Sequence, residues 1–286
     1  MNFGRRTLRS LCPSLLVSTV SLVLCQCEKS YADSNEIELW RMDCGEFVDL
    51  SLEFESDDFA YSGKRRTLTN SCYLIRHGRE YMLWDSGFSR ATLRAWNASG
   101  VSVEMNKSLA DQLRQIQVNP KQISIVGISH VHPDHTGQLP EFPWARLLIG
   151  KADYESIASQ ETDKSEPLEF LPWISGGSKK ELVTGDRDVF GDGSVVMLDT
   201  RGHTLGHHSL LVRLQAFGPV ILTGDLWSLH EQIPNSEMSA FTMDRASALA
   251  SMDRIKKAAA HLSAKIIVQH DNDDVRRLPL FPASAR

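Results

Sequence analysis

The sequence predicts an α/β fold carried by one uninterrupted domain, and three observations point there. Strand-like runs alternate with helical runs from Ile37 to the C-terminus. No composition break, repeat or low-complexity stretch divides that region. The chain as a whole, with 42% hydrophobic and 23% charged residues in 286, has the composition of an ordinary globular protein.

Taken in order, Ile37 to Leu52, Thr67 to Arg76 and Glu80 to Trp84 read as strands, with His77-Gly78-Arg79 as a hairpin turn between the last two. Ser108 precedes a helical run in which Leu113 and Ile116 share a face. Ile123 to Ile128 is an apolar run of buried-strand type, followed by strand Leu147 to Ile149 and a short helix Lys151 to Ser159. Residues 160–180 hold charges, Pro167, Pro172 and Gly176-Gly177, and read as a long irregular loop. Three further strands are expected at Val195 to Asp199, Ser209 to Leu214 and Val220 to Thr223. The longest helix, Asp244 to His261, carries Leu249, Met252, Ile255 and Ala259 along one face, and strand Lys265 to Gln269 follows it.

The front end differs in kind. Arg5, Arg6 and Arg9 precede an apolar stretch from Leu11 to Leu24, and Ser30-Tyr31-Ala32 supplies the small residues of a cleavage site. These are the parts of a secretory leader, with a cut expected after Ala32, a mature domain of residues 33–286 and a periplasmic or secreted product. No apolar run is long enough to remain in a membrane after that cut. Of 31 basic and 36 acidic residues the leader would remove four and one, leaving 27 against 35, a net charge of −8. An acidic surface of that kind excludes nucleic acid as a partner, because phosphate binding needs a basic one. Cys44 and Cys72 alone survive the cut; an oxidising compartment would allow a bridge, but both sit in apolar runs and read first as buried free thiols.

The chemistry concentrates in His130-Val131-His132-Pro133-Asp134-His135, at the end of the apolar strand. On extended backbone His130 and His132 point the same way, because side chains alternate with a period of two. Pro133 then turns the chain, so Asp134 and His135 face elsewhere and one segment can serve two neighbouring metals. Imidazole nitrogen and carboxylate oxygen are zinc's ligands, though iron, cobalt and manganese accept the same set. Further candidates stand at strand ends or in the turns after them: His203 in Gly-His-Thr-Leu-Gly-His, Asp225 in Thr-Gly-Asp, and His270 after Ile267-Val268-Gln269.

These elements, in this order, resemble the metallo-β-lactamase superfamily: an HxHxDH run, a Gly-His turn, a bridging aspartate and a final histidine. Asp85, in Leu-Trp-Asp-Ser-Gly, matches that family's early Asp-Gly element, which supports the ligands from behind. The resemblance implies an αββα four-layer sandwich of two mixed sheets flanked by helices, with the site along one edge. It further implies two divalent ions, zinc foremost. His130, His132 and His203 would hold the first, and Asp134, His135 and His270 the second. Asp225 would join both, and Asp134 and Asp225 would act in catalysis.

An aspartate at position 225 resembles the lactonase, thioesterase and phosphodiesterase branches, where β-lactamases have Cys or Ser. The Asp43-Cys44-Gly45 start, Gly206-His207-His208-Ser209, Leu222-Thr223-Gly224-Asp225-Leu226 and Gln269-His270-Asp271 are similar to exported N-acyl-homoserine lactonases. The implied partner is a small acyl lactone or ester. The alternatives are another exported lactonase, esterase or β-lactamase-like hydrolase, and a non-catalytic metal-binding protein on the same scaffold. One departure stands out: those lactonases place a tyrosine just after the bridging aspartate, and here the segment is Asp225-Leu226-Trp227-Ser228. Trp227 offers only an N–H donor and a large apolar face, so either another donor such as Ser228 or His230 substitutes or the substrate differs. Phe88, Phe170, Trp173, Trp227 and Phe241 are the aromatic candidates for an acyl groove. His207 and His208 are expected behind the ligands, while His77 and His261 are expected in solvent.

Overall fold

Period-two alternation along the strands sorts the apolar residues onto opposite faces, and the architecture follows from what covers each face. A computed structural model describes residues 1, 2, 4, 36–159 and 168–286. Apart from Met1, Asn2 and Gly4, the expected leader and its cut lie outside the described residues, as does the 160–167 part of the expected loop.

The chain begins with an antiparallel meander, β1 (Ile37–Ser51), β2 (Arg65–His77) and β3 (Glu80–Trp84). It continues through α1 (Arg90–Ser99), β4 (Val103–Glu104), α2 (Leu109–Gln115), β5 (Ile123–Gly127), α3 (Pro133–Thr136), β6 (Arg146–Gly150) and α4 (Lys151–Ala158). After α5 (Leu171–Ile174) and β7 (Lys180–Val183) come β8 (Arg187–Asp188), β9 (Val195–Asp199), β10 (His208–Leu214) and β11 (Gly218–Leu222). The long α6 (Arg245–Leu262), β12 (Lys265–Ile267) and α7 (Asn272–Val275) complete it. One sheet has seven strands in the order β4-β1-β2-β3-β5-β6-β7, the other five in the order β12-β11-β10-β9-β8. Both are mixed: β3, β5, β6 and β7 run parallel, as do β11 and β12, and the other neighbours are antiparallel.

Leu39, Tyr73, Ile75, Met82 and Trp84 of the first sheet pack with Met197, Leu210, Val212 and Leu222 of the second. The alternate residues Leu74, Leu83, Val126 and Leu147 face outward against Leu109 and Leu113 of α2 and Tyr154 and Ile157 of α4. On the far side Leu211 and Ile221 pack against Met252 and Ile255 of α6. The result is the αββα four-layer sandwich. Each fully buried side chain of this size contributes about 1.5–3 kcal/mol, so these three apolar layers fix strand register far more firmly than local propensity does.

Four local readings change. The buried face of α6 is Ala248, Ser251, Met252, Ile255 and Ala259, while Leu249 is exposed, because the apolar stripe is centred one residue earlier. Cys44 and Cys72 form a disulfide rather than two free thiols: a β-bulge between Asp43 and Glu46 sets Cys44 diagonal to Cys72, with Cα atoms 5.8 Å apart. The described part of residues 160–180 contains helical turns at Leu168–Phe170 and Leu171–Ile174, with Trp173 fully buried. His77 closes β2, stacks on Phe190 at 4.3 Å and bonds Asp192 at 2.8 Å, a packed rather than solvated role. Residues 90–99, where the sequence predicts no element, form α1, capped by Ser89 accepting the Thr92 N–H and closed by Gly100 at φ 92°. Among the described residues no helix is long and apolar enough to cross a membrane.

Candidate metal centre and pocket

The ends of β3, β5, β11 and β12 and the turn between β9 and β10 meet at one edge of the sandwich. A bond from the His208 N–H to the Ser129 carbonyl, 2.8 Å, ties the exit of β5 to the second sheet. His132 caps α3 with extended backbone (φ −67°, ψ 151°), and Pro133 occupies the first helical position. This turn sends the segment's side chains two ways. His130, His132, His203 and Asp225 form one group, and Asp134, His135, Asp225 and His270 form the other. Within each group the donor atoms lie within 4.8 Å of one another.

Asp225 faces both groups with different oxygens. Oδ2 lies 3.7 Å from His130 Nε2 and 3.5 Å from His203 Nε2, while Oδ1 lies 3.2 Å from His135 Nε2 and 3.1 Å from His270 Nε2. His132 Nδ1 is 2.9 Å from His130 Nε2 and 3.1 Å from His203 Nε2. In the second group Asp134 Oδ2 is 3.3 Å from His135 Nε2 and 3.6 Å from His270 Nε2. Bonds of about 2.0–2.1 Å to a tetrahedral ion would separate its donors by about 3.3–3.4 Å, so the spacing suits such an ion. Two buried atoms of the second group, His135 Nε2 and Asp225 Oδ1, also lack any hydrogen-bond partner, as ligands aimed at a cation would.

Residues behind the cage set which nitrogen each histidine offers. Asp85, fully buried, accepts from the Ser129 N–H (2.7 Å) and hydroxyl (2.9 Å), from Gln269 Nε2 (2.9 Å) and from His135 Nδ1 (3.0 Å). His135 Nδ1–H is thereby committed and Nε2 is left for the cage. His270 Nδ1 is similarly spent on the Thr69 carbonyl at 2.9 Å, and His130 Nδ1 on the Ser129 hydroxyl at 3.1 Å. His207 donates from Nδ1 to the Thr200 carbonyl and accepts the Asp225 N–H at Nε2, both at 3.0 Å. Gly224 sits at φ 57° against that ring; a Cβ there would come within 2.7 Å of His207 Nε2, so glycine is required to deliver Asp225. His208 is a buried strand residue bonded to the Gly206 and Gly185 carbonyls.

Electrostatically the two groups differ. Burial holds the His130 imidazole well below its ordinary pKa and His203 down at about 4. Burial acts the same way on His135 and His270, but Asp225 and Asp134 outweigh it; His135 is lifted well above its ordinary value and His270 to about 9. Burial would raise Asp225, yet His135, His270 and His130 together hold it well below the usual carboxylate range.

Over this cage opens a cavity of about 380 Å³. His132, Asp134, His203, Asp225 and His270 line it together with the apolar Phe47, Leu50, Leu68, Trp96 and Val101. Of the expected groove residues, Ser228 and the 61%-exposed Phe241 line it. The others do not. Trp227 is fully buried among Leu226, Met238 and Met252. Phe170 and Trp173 pack behind the first sheet, with Trp173 Nε1 bonded to the Ala145 carbonyl at 3.0 Å. Phe88 is buried one ring back, 5.2 Å from Phe47 and 5.5 Å from Trp96. His230 turns away to Asp274 at 2.9 Å. The wall instead comes from β1, the turn after it, β2 and α1, including Glu55 of that turn. Glu55 stands three residues after Leu52 in a turn that also holds the exposed Glu53 and Phe54, and nothing in its sequence neighbourhood marks it as a site residue.

Comparison with known proteins converges on one family. The model of the metallo-beta-lactamase superfamily matches residues 65–270. An N-acyl homoserine lactonase AttM of Rhizobium johnstonii is 26% identical over 223 residues, covering 70% of this chain and 80% of its own. The N-acyl homoserine lactonase AiiA of Bacillus thuringiensis subsp. kurstaki is 24% identical over 229 residues, covering 77% and 88%. Among solved structures, a quorum-quenching N-acyl homoserine lactone lactonase superposes with a TM-score of 0.73 at 23% identity, covering 88% of this chain and 99% of its own. Another, an N-acyl homoserine lactone hydrolase with N-hexanoyl-L-homoserine bound at its catalytic metal centre, scores 0.72 at 22% identity, covering 88% and 100%.

Proposed function

The chain belongs to the metallo-beta-lactamase superfamily, and on that premise we propose that it is a two-metal hydrolase opening the ring of N-acyl-homoserine lactones. The observation that carries this reading is Asp225, whose two oxygens face two separate donor groups at the floor of a mostly apolar pocket. The lactonase relatives support the choice of substrate.

His130, His132 and His203 with Asp225 Oδ2 would hold one divalent cation, and Asp134, His135 and His270 with Asp225 Oδ1 the other, zinc suiting these donors best. When bound, such a pair supplies a water acidic enough to ionise near neutral pH and an electrophile that polarises the lactone carbonyl. The chain's own contribution is alignment and proton handling. Asp85, Thr69 and Ser129 keep the ring nitrogens aimed inward. Asp134 both lines the pocket and touches His135 and His270. It would take the proton from the attacking water and return it to the departing ring oxygen. Phe47, Leu50, Leu68 and Val101 would seat the acyl chain and exclude water.

The basic and apolar front end supports export, and the disulfide suits an oxidising compartment. A second reading, a lactonase or esterase of broader range, is favoured by Trp227, which is buried and puts no hydroxyl where the lactonase tyrosine would stand. The deciding experiment loads residues 33–286 with zinc and follows proton release with N-acyl-homoserine lactones, a chromogenic cephalosporin and S-lactoylglutathione. Turnover confined to the homoserine lactones is expected; turnover of the other substrates alone would overturn the assignment.

A further inference from the structure

Outside the cage the pocket has four polar lining residues, Glu55, Ser99, Ser228 and Ser239. Two are already committed. The Ser99 hydroxyl donates to the Trp96 carbonyl at 2.8 Å, and the Ser239 hydroxyl donates to the Phe54 carbonyl at 3.1 Å while accepting the Phe241 N–H at 3.2 Å. Glu55 and Ser228 are different, because one fully buried amide holds them in place. Gln232 Oε1 accepts the Ser228 and Leu229 N–H groups at 2.9 Å each, and its Nε2 donates to the Glu55 carbonyl. Bonds from Asp57 N–H to the Met238 carbonyl and from Ala240 N–H to the Phe54 carbonyl, both 2.9 Å, fix the Glu55 turn on either side.

We infer that Glu55, backed by Ser228, is the pocket's acceptor for a substrate N–H, which makes lactones bearing an amide the preferred class. This rests on the lactonase reading and sharpens it. His270, Asp225 and Asp134 act electrostatically on the Glu55 carboxyl. Burial lifts its pKa, and the nearby Ser228 hydroxyl only partly offsets that. A carboxylate so withdrawn from water gains most from a neutral donor that does not compete for the cations. An amide N–H between lactone ring and acyl chain is such a donor.

The test compares N-hexanoyl-homoserine lactone with α-(2-oxoheptyl)-γ-butyrolactone, in which CH₂ replaces the N–H, on zinc-loaded wild type, Glu55→Ala and Glu55→Gln. KM is measured for both lactones, and calorimetric Kd for the two ring-opened products. Wild type is expected to favour the amide compounds by about ten- to a hundredfold in KM and Kd. Glu55→Ala should erase that preference by raising KM and Kd for the amide compounds toward those of the carbon isostere, and Glu55→Gln, which keeps an acceptor oxygen, should restore part of it. If wild type opens both lactones and the preference is absent, or survives in Glu55→Ala, only the Glu55 assignment falls. If wild type opens neither, the lactonase reading falls and takes this inference with it.

Discussion

The two halves of the cage share Asp225 and are built on opposite electrostatic plans. The His130–His132–His203 half offers three imidazoles and one carboxylate oxygen, and burial keeps His130 and His203 neutral. The Asp134–His135–His270 half offers two imidazoles and two carboxylates, and those carboxylates keep His135 and His270 protonated near neutrality. A cation entering the first half would meet His130 and His203 already neutral, whereas one entering the second would have to displace protons from His135 and His270. On the two-metal reading, the distribution of carboxylates alone would pair a site that is ready with a site gated by pH.

Removing the shared residue tests the comparison most severely. Asp225→Asn should cut turnover by about 10²–10³-fold or more while metal analysis still finds one ion equivalent held by the three histidines. Retained full turnover would mean that the carboxylate does not join the halves. Asp85→Asn acts on one half more than the other, since Asp85 holds His135 directly but reaches His130 only through Ser129. Zinc affinity of the weaker site is expected to fall by about 10- to 100-fold, with the tighter site less affected, as read by competition with a chromophoric chelator. Equal losses at both sites would erase the asymmetry.

The smallest effect is in the chelator-treated protein, whose stability should fall on both sides of neutrality. His203, depressed from 6.5 to about 4, contributes stability that is present above pH 6.5 and lost as pH drops toward 4. His270, raised from 6.5 to about 9, contributes stability that is full below pH 6.5 and lost as pH rises through 9. Melting temperature against pH, measured with and without zinc, checks this. A metal-free profile flat from pH 4 to 9 would contradict the two opposed shifts.

Much of this molecule is legible without coordinates. His130, His132, Asp134 and His135 stand within six consecutive residues, and His203, Asp225 and His270 each sit at a strand end or in the turn after one. Strand periodicity and a turn at Pro133 suffice to send such neighbours to opposite sides, because both are local properties of the backbone. The apolar alternation of β1, β2, β3, β10 and β11 likewise records which face is covered.

The pocket, by contrast, is a product of tertiary packing. Phe47, Glu55, Leu68 and Trp96 come from β1, its following turn, β2 and α1, and they line one cavity with Ser228 because two sheets and a buried Gln232 bring them together. Trp227, two residues after Asp225, was drawn into an apolar layer instead, and Phe88 lies buried behind Phe47 and Trp96. The Cys44–Cys72 bridge has the same origin, since it depends on a bulge whose register is set between two strands. Ligand identity is written in residue type and local spacing, whereas burial and proximity across the fold are set by packing, which no single segment contains.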